Sequence, residues 1–300
     1  IAIETMVTQG GGPVRAALLA MVFLARQMEG GKIPREAETI DAARDRLSET
    51  RPTNTTMARA LAIMAEGMKK SLEDGGSPLE EAQRFSDDFD ARYQERAFAM
   101  ARTGASLLED GDGVLTMCFA ETSFILTIAL AMEAGKRLQV YTPETRPYLQ
   151  GARLTAPCLE EIGADVTLIT DNMPAFLMSQ GRVQKYMTAV DIAVKGGWVA
   201  NKVGTYQNAI TAAYHGIPYF PFAVDPDMRK KGRESIVIEE RDPEEVKKLR
   251  GLPITTETMK AWYPAFDIVP PHLIAGIITP RGLISPWQLE AVFGDSETVL

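Results

Sequence analysis

Cys118 closes one apolar run, Gly113-Val114-Leu115-Thr116-Met117-Cys118, and Asp191 closes another, Tyr186-Met187-Thr188-Ala189-Val190-Asp191. If both runs are strands of one open sheet, a thiol and a carboxylate stand at their carboxyl ends and face the ligand crevice of an α/β domain. Such a pair can move protons on a small substrate. The thiol also has an ordinary reading, since cysteines are commonly buried as small apolar groups. A carboxylate that ends an apolar strand is harder to explain structurally, because its burial is costly unless it is paired or used. An apolar setting would raise its pKa and let it act as a general acid near neutral pH. The second cysteine, Cys158, lies within Leu154-Thr155-Ala156-Pro157-Cys158-Leu159 and reads as core.

Three places suit an anion. Thr8-Gln9-Gly10-Gly11-Gly12-Pro13 precedes a helix. Gly10, Gly11 and Gly12 let backbone N–H groups approach a phosphate, and the helix dipole favours it. Arg51 stands just before Pro52-Thr53 at another helix start. Asn201-Lys202 is expected to begin a helix after the flexible Lys195-Gly196-Gly197 turn. The ordinary reading of each Arg or Lys is a solvated surface charge. His215 and His272 are the only histidines. They have no Cys or carboxylate partners at ligand spacing, so no metal site is expected. There is no Walker loop and no Gly-x-Gly-x-x-Gly after a strand, so no nucleotide cofactor is expected either.

Periodicity supplies the elements that must position these groups. The first ~110 residues read as helical. One helix spans 14–29 and stops at Gly30-Gly31, and Pro34 starts a second. A third covers 54–71, with Thr53, Asn54 or Thr55 as candidate caps. Ser77 and Pro78 open a fourth, with Glu80 and Glu81 in its first turn, running to about Leu108. Asp110-Gly111-Asp112-Gly113 breaks the pattern and sets a boundary between a helical domain, 1–110, and an α/β domain, 111–300. Strands are then expected near 113–118, 137–142, 165–170, 186–191 and 217–223. Helices are expected at 122–134, 150–162, 173–181 and 201–215. The alternation implies βαβ units, a Rossmann-like, doubly wound, mainly parallel sheet with both faces covered. Ile236-Val237-Ile238 reads as a further short strand.

Bulk properties narrow the partners. Three hundred residues, 45% hydrophobic and 24% charged, suffice for two domains with ample core. The net charge of −8 argues against a nucleic-acid surface. No stretch approaches the ~18 apolar residues of a membrane span. Two cysteines without a Cys-rich framework fit a reducing compartment, and a cytoplasmic location is expected.

Four stretches carry a family resemblance. They are Tyr141-Thr142-Pro143-Glu144-Thr145-Arg146-Pro147-Tyr148-Leu149-Gln150-Gly151-Ala152-Arg153-Leu154-Thr155, Ala200-Asn201-Lys202-Val203-Gly204-Thr205-Tyr206, Glu239-Glu240-Arg241-Asp242-Pro243-Glu244-Glu245-Val246 and Pro264-Ala265-Phe266-Asp267-Ile268-Val269-Pro270. Together the chain, from about Met6 to Pro286, resembles the methylthioribose-1-phosphate isomerase family. That superfamily also holds ribose-1,5-bisphosphate isomerase and the regulatory subunits of a translation-initiation exchange factor. The resemblance implies a homodimer and a cofactor-free conversion of an aldose 1-phosphate to a ketose 1-phosphate. It implies a catalytic thiol at Cys118, a general acid at Asp191 and substrate contacts at Arg51, Gln150, Asn201 and Lys202. Where the family reads His-Cys-Asn-Thr-Gly, this chain has Met117-Cys118-Phe119-Ala120-Glu121. In the family's Arg-Gly-Ala-Pro phosphate loop it has Gln9 for the Arg, with Arg15 as the nearby replacement, and Ile192 stands where an Arg follows the acid. The expected substrate is 5-methylthioribose 1-phosphate or a related pentose 1-phosphate. The alternatives are ribose 1,5-bisphosphate, a 5-deoxypentose phosphate, or sugar-phosphate sensing without turnover.

Overall fold

A computed structural model describes residues 2–4, 7–51 and 55–294, without the side chain of Thr55. The candidate caps Thr53 and Asn54 lie outside the described residues, as does Met6. Ile1–Glu95 and Arg96–Val299 form two compact units.

In the first unit, Pro13 pre-sets the first turn of α1 (Gly12–Glu29). Val14, Leu18, Met21, Val22, Ala25 and Met28 recur at helical spacing along it and are buried. They pack against Ile40 of α2 (Ala37–Glu49), Met57, Leu61, Met64 and Met68 of α3 (Thr55–Glu73), and Phe89 of α4 (Pro78–Ser106). The division between the units falls within α4.

In the second unit the last turns of α4 pack through Met100 into a cluster with the strand residues Val114, Val140 and Met187 and the helical Phe124. Alternating strands and helices follow: β1 (Gly113–Leu115), α5 (Glu121–Glu133), β2 (Gln139–Pro143), a π-turn (Gly151–Thr155) running into α6 (Ala156–Glu161), β3 (Asp165–Ile169), α7 (Pro174–Ser179) and β4 (Lys185–Ala189). After them come β5 (Ile192–Ala193), β6 (Val199–Lys202), α8 (Thr205–Tyr214), β7 (Tyr219–Phe222), β8 (Lys248–Leu249), β9 (Leu252–Pro253), β10 (Phe266–Val269), β11 (Ile277–Thr279), β12 (Gly282–Ile284) and α9 (Leu289–Phe293). The main sheet has the order β12-β11-β7-β4-β1-β2-β3 and is parallel except for β12. Its inner strands β1, β2, β4, β7 and β11 are mostly buried, as a parallel sheet covered on both faces requires, while edge strand β3 is largely exposed. A smaller antiparallel sheet has the order β10-β6-β5.

The fold class is as expected, with local differences. Asn201 and Lys202 end strand β6, and the helix starts only at Thr205. The physical reason is long-range: β6 pairs with β10, which a local pattern cannot register. Residues 236–238 form no strand, and Val237 is exposed. The helix expected over 150–162 is a π-turn followed by a short α6. Cys158 on α6 is only partly buried rather than core.

Candidate active site

The order of the main sheet reverses beside β1. The chain builds β2 and β3 on one side of it, then returns to place β4 and β7 on the other. Loops at such a switch point diverge and leave a crevice at the carboxyl ends of the strands. Cys118 follows β1 and Asp191 follows β4, so the thiol and the carboxylate leave the two strands flanking that point. Both strands stop short of the sequence expectation, so both residues stand in the connecting loops rather than on the strands themselves.

Cys118 takes a left-handed backbone conformation, φ +63. Its N–H donates to Thr145 Oγ1 (3.1 Å), and its carbonyl accepts from Thr155 Oγ1 (2.7 Å). Thr155 Oγ1 also accepts from the N–H of Ala120 (3.0 Å), so two threonines fix the thiol turn. Cys118 is 9% exposed within a cluster that includes Leu115, Tyr141 and Tyr186. Burial pushes the thiol up to about 11. The Lys202 ammonium pulls it down, Asp191 pushes it up, and the Phe119 N–H and Arg241 pull it down again. Met117, just beyond the end of β1, is buried. Its sulfur faces the hydroxyl of Thr145 (3.9 Å) and Nδ2 of Asn208 (3.8 Å). Phe119 is half-buried.

Asp191 is exposed, so the apolar setting expected for it is not found. The sheet ends at Ala189, and the carboxylate stands in the bend beyond it. Its neighbourhood is cationic instead: its charge acts on Arg241 as well as on Cys118.

Lys202 is 2% exposed, a rare burial for an ammonium. Nζ donates to Tyr263 Oη (3.0 Å) and lies over the rings of Tyr263 and Phe266, 5.2 and 5.4 Å from their centroids. Arg241 lies over the same Phe266 ring at 5.6 Å and donates from Nε to Glu239 (3.0 Å). Burial works against the Arg241 charge, but Glu239, Tyr263 and Asp191 together raise its pKa. Asn201 is 3% exposed and donates to Thr205 Oγ1 (3.1 Å). Asp267 caps the start of α8, accepting from the N–H groups of Gly204 (2.6 Å) and Tyr206 (3.0 Å). Burial raises its pKa to about 6 against those bonds and the charge of Lys202. Gln150 is fully buried, and its Oε1 has no hydrogen-bond partner among the described residues.

The second unit thus holds Cys118, Gln150, Asp191, Asn201 and Lys202, and the charges of Asp191 and Lys202 both act on the thiol. Arg241 joins them and was missed from sequence: it lies in the run Glu239–Glu245, whose charge reads as a solvated face. The first unit holds the other candidates. Gly10 has φ +58, Gly11 is the N-cap of α1 and Gly12 is its first residue. Arg15 is committed to an ion pair with Asp90 (2.7 Å). Arg51 is half-buried just beyond α2. His215 ends α8 and His272 lies in a 3-10 turn. Among the described residues no three His, Cys, Asp or Glu are grouped to hold a metal, and no helix is long and apolar enough to cross a membrane.

The profile of the Initiation factor 2 subunit family matches residues 13–286. The methylthioribose-1-phosphate isomerase of Thermosipho africanus is 36% identical over 95% of this chain and 85% of its own length. That of Pelotomaculum thermopropionicum is 37% identical over 95% and 81%. Among solved structures, the 5-methylthioribose 1-phosphate isomerase of Pyrococcus horikoshii OT3 superposes with a TM-score of 0.83 at 32% identity, covering 98% of this chain and 86% of that one. The translation initiation factor eIF-2B, subunit delta, from A. fulgidus gives 0.80 at 32%, covering 97% and 87%. With matches of this extent, the chain belongs to the Initiation factor 2 subunit family, alongside relatives named methylthioribose-1-phosphate isomerase.

Proposed function

We propose that the chain is a cofactor-free aldose–ketose isomerase acting on 5-methylthioribose 1-phosphate or a related pentose 1-phosphate, a reaction of methionine salvage. The observation that carries this reading is the thiol and the carboxylate in the loops that follow the two strands flanking the switch point, with the charges of Lys202, Arg241 and Asp191 acting on the thiol. Relatives named for this activity along nearly the whole chain support it.

Asp191 is the general acid in this reading. It protonates the ring oxygen, and the C1–O bond to that oxygen breaks. The hydrogen on C2 then moves to C1, the C2 hydroxyl gives its proton to the Asp191 carboxylate, which is thereby restored to its acid form, and a C2 ketone forms. A thiol held at about 11 is almost wholly protonated at neutral pH and is a poor base. This favours migration of the hydrogen from C2 to C1 as a hydride. The neutral thiol turn then keeps water and stray bases away from the electron-deficient C1. The open acceptor of Gln150 and the buried donors of Asn201 and Lys202 suit sugar hydroxyls and phosphate oxygens. Gly10, Gly11, Gly12 and Arg51 are proposed phosphate contacts, and Arg15 joins them only if its pair with Asp90 opens.

The test is a panel of pentose 1-phosphates differing only at C5, with ketose formation as readout, repeated in deuterated water. Ketose formation with the original hydrogen retained at C1 is expected. Solvent deuterium at C1 would overturn the hydride route, and no turnover of any member would overturn the isomerase reading. The likeness to the initiation-factor subunit favours a second reading, a regulatory chain that binds a sugar phosphate without turnover. Calorimetric binding of a panel member that is never converted would select it.

A cytoplasmic homodimer is part of the proposal. Two unbonded cysteines fit a reducing compartment. Phe176 on α7 and Ile210 and Tyr214 on α8 expose an apolar patch of the kind oligomers bury. Sedimentation at micromolar concentration tests the dimer, and a monomer there removes it.

A further inference from the structure

Asp171 lies two residues beyond β3 and takes no part in the chemistry above. Its carboxylate accepts two backbone N–H groups, from Thr145 at Oδ1 and Arg146 at Oδ2, each at 2.7 Å. Charge-assisted bonds of this length are among the stronger ones a side chain makes. Thr145, the residue so held, has φ +65, a conformation that β-branched residues rarely adopt. It is fully buried, and its Oγ1 accepts the N–H of Cys118 while lying 3.2 Å from the carbonyl oxygen of Pro143. Cys118 is itself left-handed. One hydrogen bond therefore joins two strained residues, and a carboxylate grips the first of them. Such strain persists only where the surroundings over-determine it, and it gathers at functional sites.

The same loop is pinned from its other side. The Arg146 guanidinium donates to the carbonyls of Pro147 (3.1 Å), Lys248 (2.9 Å) and Val246 (2.9 Å). Gly151 presses on Pro143 so closely that a Cβ there would collide with its carbonyl oxygen.

We propose that Asp171 is a positioning residue for the Cys118 thiol. It holds Thr145 in its left-handed conformation, and Thr145 fixes the main chain, and so the direction of the thiol, at Cys118. The catalytic importance of that direction rests on the isomerase reading. The mechanical link from Asp171 to Cys118 does not.

The test uses the full chain carrying Cys158→Ser, so that Cys118 is the one thiol left. Asp171→Ala, Asp171→Asn, Thr145→Val and the Asp171→Ala/Thr145→Val double variant are compared for the rate of Cys118 alkylation by iodoacetamide. Where a panel sugar phosphate is turned over, kcat and KM are compared as well. Releasing the loop exposes the buried thiol, so Asp171→Ala and Thr145→Val should each speed alkylation by roughly tenfold or more. Because both act through one bond, the double variant should match the single ones rather than their product. Misplacing a reacting group costs about a hundredfold, so kcat should fall by roughly tenfold to a hundredfold with KM nearly unchanged. A folded Asp171→Ala chain alkylated at the parent rate, or a double variant equal to the product of the singles, overturns the proposal. If Asp171→Ala does not fold, Asp171→Asn keeps the shape and one acceptor and is judged by the same criteria. If the parent turns over no sugar phosphate, the isomerase reading falls while the alkylation comparison still decides the role of Asp171.

Discussion

Raising the pH in the presence of iodoacetamide should find Cys118 unusually slow to react. Burial outweighs the help of Lys202, the Phe119 N–H and Arg241, leaving the thiol at about 11 against an ordinary 9.0. At pH 8 the thiolate fraction is then about 10⁻³ rather than about 10⁻¹. Alkylation follows the thiolate, so Cys118 should react roughly a hundredfold more slowly than an exposed cysteine at that pH. The logarithm of its rate should climb by about one unit per pH unit and level off only near 11. Lys202→Met removes the largest opposing charge and should slow the reaction at pH 8 further. Stability carries the same signature. Between pH 9 and 11 the folded chain holds a proton that the unfolded chain has released, so unfolding becomes easier as pH rises, by about 3 kcal/mol at most. The assay is mass-resolved alkylation of the Cys158→Ser chain across pH 7–11.5. A midpoint at or below 9 refutes the reasoning, because it means that the cationic neighbours outweigh burial.

Asp191→Asn should lower turnover by about 10²–10⁴-fold as a lost general acid, and Cys118→Ser by roughly tenfold to a hundredfold as a disturbed wall beside C1, each with little change in melting temperature, as measured by ketose formation and thermal denaturation. Near-full activity in either removes its assigned role. Asp267, with its pKa raised to about 6, makes the folded state the stronger proton binder between pH 4 and 6, so stability falls as pH rises through that window. Denaturant titrations of Asp267→Asn should lose this slope, and its persistence assigns the titration elsewhere. Gly151→Ala should cost about 3 kcal/mol, since the new Cβ must displace the Pro143 carbonyl. An unchanged denaturation midpoint shows that the loop tolerates what the packing forbids.

Five of the seven strands of the main sheet were legible: Gly113 to Leu115 and Lys185 to Ala189, buried in the middle of the sheet, fall inside the expected runs or within a residue of them, whereas the short β11 and β12 were not expected. The thiol and the acid were legible from their places after those runs. The surroundings of the acid were not. A run ending in Asp191 implies an apolar carboxylate, yet the ladder stops at Ala189 and leaves Asp191 exposed. Lys202 was picked out as an anion donor but placed on the wrong element, because strand β6 is set by pairing on both edges, with the two-residue β5 and with β10 more than sixty residues on. Arg241 was hidden for a related reason. What distinguishes it from its charged neighbours is the Phe266 ring beneath it, and no local pattern reports that contact. The left-handed conformations of Thr145 and Cys118 were equally silent, since neither residue type advertises a positive φ.

The pairing of β6 with β10 also sets an order of events during synthesis. A nascent chain that has emerged as far as Ile254 already contains Cys118, Asp191 and Lys202, yet it lacks Tyr263, Phe266 and Asp267. Those three supply the hydroxyl that receives the buried ammonium, the ring shared with Arg241 and the cap of α8. Until they arrive, the lysine lacks the hydroxyl and rings that enclose it, and the turn after β6 lacks the carboxylate that accepts from Gly204 and Tyr206. The reactive centre is therefore a late product of translation, assembled after most of the sheet that carries it, and a ribosome stalled before residue 263 displays the residues of the chemistry without their arrangement.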